Sequence, residues 1–147
     1  RPSQEHGAIR ADSLSALVRA SDVLSLHCPL TQETRGMVNH EVLAMLPDGA
    51  VVINTARGAV VDLDALDDAL ESGHLAGAGI DVFPEEPHVP QRLLQCDRAV
   101  LTPHTGVNTE ETRARMAAAC AGKVLTALSG REPSHVVNPS YRAHSRL

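Results

Sequence analysis

Four short apolar segments, each ending in polar or turn-forming residues, constrain the fold of this chain most strongly. The segments span residues 22–27, 50–54, 76–82 and 98–102, and helical patterns lie between most of them. An alternation of strand and helix is typical of a parallel sheet. With one Phe, one Tyr and no Trp, the core must consist of Leu, Val, Ile and Ala, which pack well between parallel strands and helices. The sequence therefore predicts an α/β fold.

Periodic apolar positions predict helices over residues 13–20, 40–46, 63–72 and about 109–128. Asp62 is a suitable N-cap for the third helix and Gly73 a suitable stop, while Gly130 and Pro133 end the last one. We also expect a short strand over residues 8–10. Residues 131–147 show no period and are expected to be extended.

Composition excludes several functional classes. A net charge of -5 without a basic run does not indicate binding to nucleic acid or to an anionic membrane. No apolar stretch is long enough to predict a membrane span. Cys28, Cys96 and Cys120 are odd in number and far apart, so we expect neither a disulfide framework nor a metal site. These features favour a single domain in the cytoplasm.

The ends of the four strands carry the functional signal. They read HCPLT, NTARG, DVFPEEP and TPHTG. In parallel sheets the ligand crevice lies beyond the carboxyl ends of the strands, where loops and helix N-termini present donors and charges. The sequence therefore predicts that four loops meet at one binding edge.

Three charged or titratable residues stand out at that edge. Arg57 is one of twelve arginines and, like most, could be a surface charge, but its tight turn after a strand could present a forked donor to a carboxylate. His104 also follows a strand, and proton transfer by an imidazole needs a carboxylate partner. Glu86 and its neighbour Glu85 could supply it, or they could form a plain charged loop; Asp81 is a further candidate.

Motifs for other chemistries are absent from the sequence. Gly77 and Gly79 begin a pattern like the dinucleotide fingerprint G-x-G-x-x-G, but Val82 stands where the third glycine is needed. We therefore expect these two glycines to reflect close approach of neighbouring groups. No P-loop, hydrolase elbow or zincin helix occurs.

Taken in order, SDVLSLHCPLTQETRGMV, LPDGAVVINTARGAVVDLDALDDALESGHLAGAGIDVFPEEP and RAVLTPHTGVNTEETRARM resemble the NAD-binding domain of D-isomer-specific 2-hydroxyacid dehydrogenases. The resemblance runs from about residue 13 to residue 139. It implies a partial Rossmann-type parallel sheet with flanking helices. It also implies hydride transfer between NAD or NADP and a small 2-hydroxy or 2-keto acid, and a homodimer.

The resemblance assigns roles to individual residues. It implies that Arg57 holds the substrate carboxylate, that His104 exchanges a proton with the substrate oxygen, and that Glu86 stabilises the imidazolium form of His104. Asp81 would hold the nicotinamide amide. The implied cofactor contacts are Cys28, Pro29, Thr34, Thr55, Ala56, Arg57, Asp81, His104 and Gly106.

Relatives have further parts that these 147 residues do not contain. We expect residues 1–130 to form part of a dinucleotide-binding domain that lacks the first strands and the glycine fingerprint. Residues 131–147 would return to a substrate domain. This chain alone is therefore expected to bind dinucleotide poorly and to be inactive. Two alternatives stay open, a non-catalytic dinucleotide-dependent binding or scaffolding module and a truncated product without activity; the intact Arg57, Glu86 and His104 weigh against the first.

Overall fold

A parallel sheet of four strands organises the first part of the chain. In the computed structural model, which describes residues 7–138 and 140, the strands are β1 (Val23–Leu26), β2 (Ala50–Asn54), β3 (Leu75–Ile80) and β4 (Ala99–Leu101). They lie in the order β1-β2-β3-β4, and every neighbouring pair is parallel. The predicted α/β class and the four predicted strands are thus confirmed.

The register brings the carboxyl ends of the strands to one level. Leu26 pairs with Asn54, Asn54 with Ile80, and Ile80 with Leu101. Each of these is the last residue of its strand, so the four following loops begin side by side. This arrangement places the NTARG, EEP and TPH segments at neighbouring positions.

In the described part of the chain, four α-helices and a 3-10 turn over Gly58–Val60 accompany this sheet, and the sequence predicts three of the α-helices. The four α-helices are α1 (Leu14–Arg19), α2 (His40–Leu43), α3 (Leu63–Glu71) and α4 (Gln91–Leu94). As the sequence predicts, the Asp62 carboxylate caps α3 by accepting from the backbone N–H groups of its first turn. The four-residue helix α4 was not predicted, because one turn shows no apolar period. The strand expected over residues 8–10 is wrong: these residues form no ladder, and Ile9 is 95% exposed.

The core lies between the sheet and the helices. β2 alternates buried and half-buried residues, and Val52 is fully buried at its centre. α3 buries Leu66 and Leu70 against this core. The glycines of β3 are explained by close approach, since a Cβ on Gly79 would lie 2.9 Å from Cδ1 of Ile53.

From residue 106 onward, the described residues form a second compact unit. Its helix α5 (Glu110–Leu128) begins at the predicted place with Thr109 as N-cap, and Gly130 follows with a positive φ of 75°. No residue of α5 is buried, and residues 131–138 form neither helix nor strand. Among the described helices, none combines the length and the apolar character needed to cross a membrane.

A cluster of charges links α3 to α4. The Arg92 guanidinium donates to Asp68 at 3.0 Å and to Glu71 at 2.9 Å. Its Nε atom lies 3.9 Å from the carboxylate of Asp67, whose side chain is only 6% exposed. Burial raises the pKa of Asp67 above its ordinary value, and the charge of Arg92 opposes that shift. Ionisation of Asp67 is therefore unfavourable in the folded protein and lowers its free energy of unfolding.

We expect Asp67→Asn to stabilise the protein at neutral pH. Because the folded-state pKa of Asp67 is raised, the folded chain holds this proton more firmly than the unfolded chain. The wild-type free energy of unfolding should fall as pH rises from the ordinary Asp pKa through the raised one. Arg92 keeps its two closer partners in the variant. Thermal unfolding at several pH values should show a gain that disappears in acid.

A matched control for this substitution is Asp97→Asn, which makes the same change at an exposed aspartate. The control should leave the melting temperature close to that of the wild type at every pH. A lower melting temperature of Asp67→Asn at neutral pH would show that the attraction to Arg92 outweighs the burial of the charge.

Candidate active site

Arg57 lies in a turn that is held by a buried side chain. Asn54, the last residue of β2, is fully buried. Its Oδ1 accepts from the Ala56 N–H at 3.0 Å, and its Nδ2 donates to the Arg57 carbonyl at 3.0 Å. A single amide therefore fixes the backbone on both sides of the turn. The exposed Arg57 guanidinium donates through one nitrogen to the Ala56 carbonyl at 2.6 Å.

The Arg57 turn packs directly against the loop that follows β3. Gly58 is buried, and a Cβ added there would lie 2.1 Å from the carbonyl carbon of Phe83 and 2.3 Å from the nitrogen of Pro84. Real Cβ atoms do not come that close to backbone. Only glycine permits this contact, which places Arg57 beside the segment that leads to Glu86.

Glu86 and His104 form a hydrogen-bonded pair at the same edge. Oε2 of Glu86 lies 2.9 Å from Nδ1 of His104, and Oε1 accepts from the Phe83 N–H at 3.0 Å. The His104 side chain is 45% exposed and that of Glu86 is 37% exposed, so both remain accessible. Glu86 thus links the loop after β3 to the loop after β4.

The pairing has an electrostatic consequence for Glu86. The hydrogen bond with His104, followed by that from the Phe83 N–H, lowers the pKa of Glu86 below its ordinary value. The nearby Asp81 acts weakly in the opposite direction. Glu86 is therefore ionised at neutral pH and acts as an acceptor, which leaves Nε2 of His104 as the nitrogen available for proton exchange.

Asp81 is buried beneath the turn that carries His104. It is 5% exposed, and its Oδ1 accepts from the Thr102 hydroxyl at 2.5 Å and from the Thr105 N–H at 2.8 Å. Its carbonyl accepts from the His104 N–H at 2.8 Å. One residue at the end of β3 therefore contacts three positions of the loop after β4.

The loop after β1 is closed by a threonine. The Thr34 hydroxyl donates to the Pro29 carbonyl at 2.6 Å and accepts from the Thr31 N–H at 2.8 Å. Cys28, two residues after β1, is half-buried, and Thr55 at the end of β2 is exposed. Cys28 and Thr55 thus follow the ends of their strands, at the level to which the register brings the loops.

A small cavity opens beside the Glu86 and His104 pair. It has a volume of about 140 Å³, and its other lining residues are apolar or proline: Phe83, Pro87, Val89 and Pro103. The same sheet edge thus carries an imidazole, a carboxylate hydrogen-bonded to it and, in the turn that packs against the Phe83 loop, the guanidinium of Arg57. This combination suits a substrate that carries one carboxylate and one carbonyl or hydroxyl oxygen.

The sequence predicts the functional residues at this edge but not the residues that support them. Arg57, Asp81, Glu86 and His104 all lie in the first unit, whereas Gly106 is the first residue of the second. Asn54 and Thr102 were missed. Their positions as the last residue of β2 and the first after β4 were the available signal, since polar side chains at strand ends often bind the following turn.

Comparison with known proteins identifies the relatives of this chain. The family model described as the NAD binding domain of D-isomer specific 2-hydroxyacid dehydrogenases matches residues 1–106. A glyoxylate reductase from Thermococcus litoralis is 43% identical over 135 residues, which cover 92% of this chain and 40% of that protein.

Solved structures agree with the sequence match. A putative D-isomer specific 2-hydroxyacid dehydrogenase from Polaromonas has a TM-score of 0.90 and 38% identity over 94% of this chain and 43% of that one. An NADPH-dependent glyoxylate/hydroxypyruvate reductase from Sinorhizobium meliloti, in complex with NADP and malonate, has a TM-score of 0.84 and 35% identity over 91% of this chain and 42% of that one. The chain thus spans about two fifths of the length of these relatives, and it belongs to the D-isomer-specific 2-hydroxyacid dehydrogenase family.

Proposed function

We propose that the full-length product of this gene transfers a hydride between NAD or NADP and a small 2-hydroxy or 2-keto acid. The observation that carries the proposal is the His104 and Glu86 pair at the strand ends, joined at 2.9 Å. Reduction of a 2-keto acid needs a proton for the oxygen and a cation for the carboxylate. His104 and Arg57 supply these two groups.

In this proposal His104 exchanges the proton. Its Nδ1 faces the Glu86 carboxylate, so its Nε2 is directed to the substrate oxygen. In reduction Nε2 donates a proton to that oxygen, and in oxidation it accepts one. Glu86 orients the ring, because its carboxylate lies 2.9 Å from Nδ1.

Arg57 binds the substrate carboxylate. A guanidinium presents five N–H donors in a planar fork, and the structure describes one of its hydrogen bonds, to the Ala56 carbonyl. That bond restrains the side chain, and the other N–H groups of the guanidinium can make a two-point contact with a carboxylate. The small cavity beside His104 favours a substrate with few atoms.

The strand-end residues fit the nicotinamide part of a dinucleotide. When bound, the dinucleotide supplies or accepts the hydride. Asp81 presents a carboxylate at the end of β3 that suits an amide donor, and Thr55 is exposed at the end of β2. The remaining proposed contacts are Cys28, Pro29, Thr34, Ala56, Arg57, His104 and Gly106. The glycine fingerprint that holds a pyrophosphate is not among these 147 residues.

The proposal extends to organisation and location. Residues 1–130 would belong to the dinucleotide-binding domain, and residues 131–147 would return to the substrate domain. A homodimer is supported by exposed apolar residues of α5, namely Met116, Val124, Leu125 and Leu128. The three cysteines are free, which fits a reducing cytoplasm.

An assay of two polypeptides tests the proposal. The full-length product should oxidise NADH or NADPH when glyoxylate or hydroxypyruvate is added, followed by nicotinamide absorbance. The 147-residue chain alone should show no turnover and only weak dinucleotide binding by calorimetry, because it lacks the pyrophosphate site. A full-length product that is inactive with every small 2-keto acid would refute the enzyme assignment. Tight dinucleotide binding by the 147-residue chain would refute the expectation for the chain alone.

A further inference from the structure

The backbone at His104 adopts a conformation that few residues accept. Its φ is 53°, in the left-handed region that favours glycine. A non-glycine residue stays there only when surrounding contacts hold it, and such residues concentrate at functional sites. The geometry of the His104 and Glu86 pair therefore depends on whatever holds this turn.

Asp81 holds the turn through three hydrogen bonds. Its carbonyl accepts from the His104 N–H at 2.8 Å, and its Oδ1 accepts from the Thr105 N–H at 2.8 Å. The same oxygen accepts from the Thr102 hydroxyl at 2.5 Å. The contacts on Oδ1 thus come from the residues two before and one after His104.

The backbone of Asp81 is tied to β2, and its carboxylate is bound by the loop after β4. The Asp81 N–H donates to the Asn54 carbonyl at 3.0 Å, which ties the residue to β2. Its carboxylate accepts hydrogen bonds from the Thr102 hydroxyl and from the Thr105 N–H. The Thr102 N–H donates to the Ile80 carbonyl at 3.0 Å, so the backbone that carries the Thr102 hydroxyl is tied to the end of β3.

We propose that Thr102 is a positioning residue: its hydroxyl fixes the Asp81 carboxylate, which holds the His104 turn in the conformation that faces Glu86. The functional meaning of this support rests on the proposed role of His104 in proton exchange. The support itself is a property of the protein without ligand. It can therefore be measured separately from catalysis.

The test is nuclear magnetic resonance of the 147-residue chain with and without Thr102→Val, which replaces the hydroxyl by a methyl group. Without the hydroxyl, the Thr105 amide proton should exchange about tenfold faster, the factor expected when a hydrogen bond to a charged group is weakened. The ring nitrogen signals of His104 should move towards those of the exposed His88. The midpoint of thermal unfolding should fall by only a few degrees, because Asp81 keeps its hydrogen bond from the Thr105 N–H.

Two further variants make the result specific. Thr102→Ser keeps the hydroxyl and should restore the wild-type exchange rate and ring signals. Thr126→Val removes a hydroxyl that donates to the Gly122 carbonyl in α5, and it should change neither readout. If valine is not tolerated, Thr102→Ala removes the same hydroxyl with a smaller side chain.

The proposal is overturned if the valine and alanine variants keep the wild-type Thr105 exchange rate and His104 ring signals. It is also overturned if Thr102→Ser behaves like Thr102→Val, because the hydroxyl would then not be the cause. None of these measurements uses a dinucleotide or a substrate. Failure of the positioning claim and failure of the enzyme assignment are therefore distinguishable.

Discussion

His104→Ala in the full-length gene product should lower kcat for glyoxylate reduction by about 10²–10⁴-fold, the usual contribution of a positioned proton donor. Alanine removes the only imidazole that the first unit pairs with Glu86 among its described residues. Binding of the dinucleotide should change little, because most of its proposed contacts come from other residues. Steady-state kinetics and dinucleotide titration measure the two effects.

A matched control is His88→Ala. His88 is an exposed histidine in the same loop as Glu86, and among the described residues the hydrogen bond and ion pair of Glu86 with an imidazole are made by His104. Its replacement should leave kcat within about a factor of two, as expected for surface substitutions. If His104→Ala keeps wild-type kcat while His88→Ala does not, the proton donor has been assigned to the wrong histidine.

The fold could be predicted because its signals are local. Each strand is a short apolar run that ends in turn residues, and α3 has both its N-cap Asp62 and its stop at Gly73. These patterns depend on neighbours in the sequence. The four-residue helix α4 lacks such a period, and the expected strand over residues 8–10 fails because a strand needs a partner that local sequence does not reveal.

The site was predictable only in part, for the same reason. Arg57 and His104 could be named because each lies in a short motif after a strand. The supports of these residues come from other strands: Thr102 contacts Asp81 across 21 positions of sequence. Gly58 could not be singled out, since its neighbour Phe83 is distant in sequence. Contacts of this kind are fixed by the register of the sheet.

Gly58→Ala should lower the free energy of unfolding by about 3 kcal/mol, at the upper end of the cost of overpacking. The added Cβ would meet backbone atoms of Phe83 and Pro84 at 2.1 and 2.3 Å, and backbone cannot rotate away as a side chain can. For a domain of this size the midpoint of urea unfolding should fall by about 1–3 M. Chemical denaturation followed by circular dichroism measures it.

The control for this substitution is Gly122→Ala. Gly122 lies inside α5, and nothing lies within 4 Å of a Cβ placed there. Alanine is a better helix former than glycine, so this variant should be as stable as the wild type or gain up to about 1 kcal/mol. The same atoms are added in both variants, and only their surroundings differ.

The response of the site to Gly58→Ala separates two ways of relieving the clash. If the Arg57 turn moves away from Phe83, the protein retains part of its stability. Because the Phe83 N–H donates to Glu86 at 3.0 Å, this movement should also change the amide signals of Glu86 and His104. If the turn cannot move, stability falls by the full amount. A variant with the wild-type urea midpoint and unchanged Glu86 and His104 signals would contradict both outcomes. It would show that the turn carrying Arg57 and the loop carrying Glu86 do not abut, and that Arg57, Glu86 and His104 do not share one edge of the sheet.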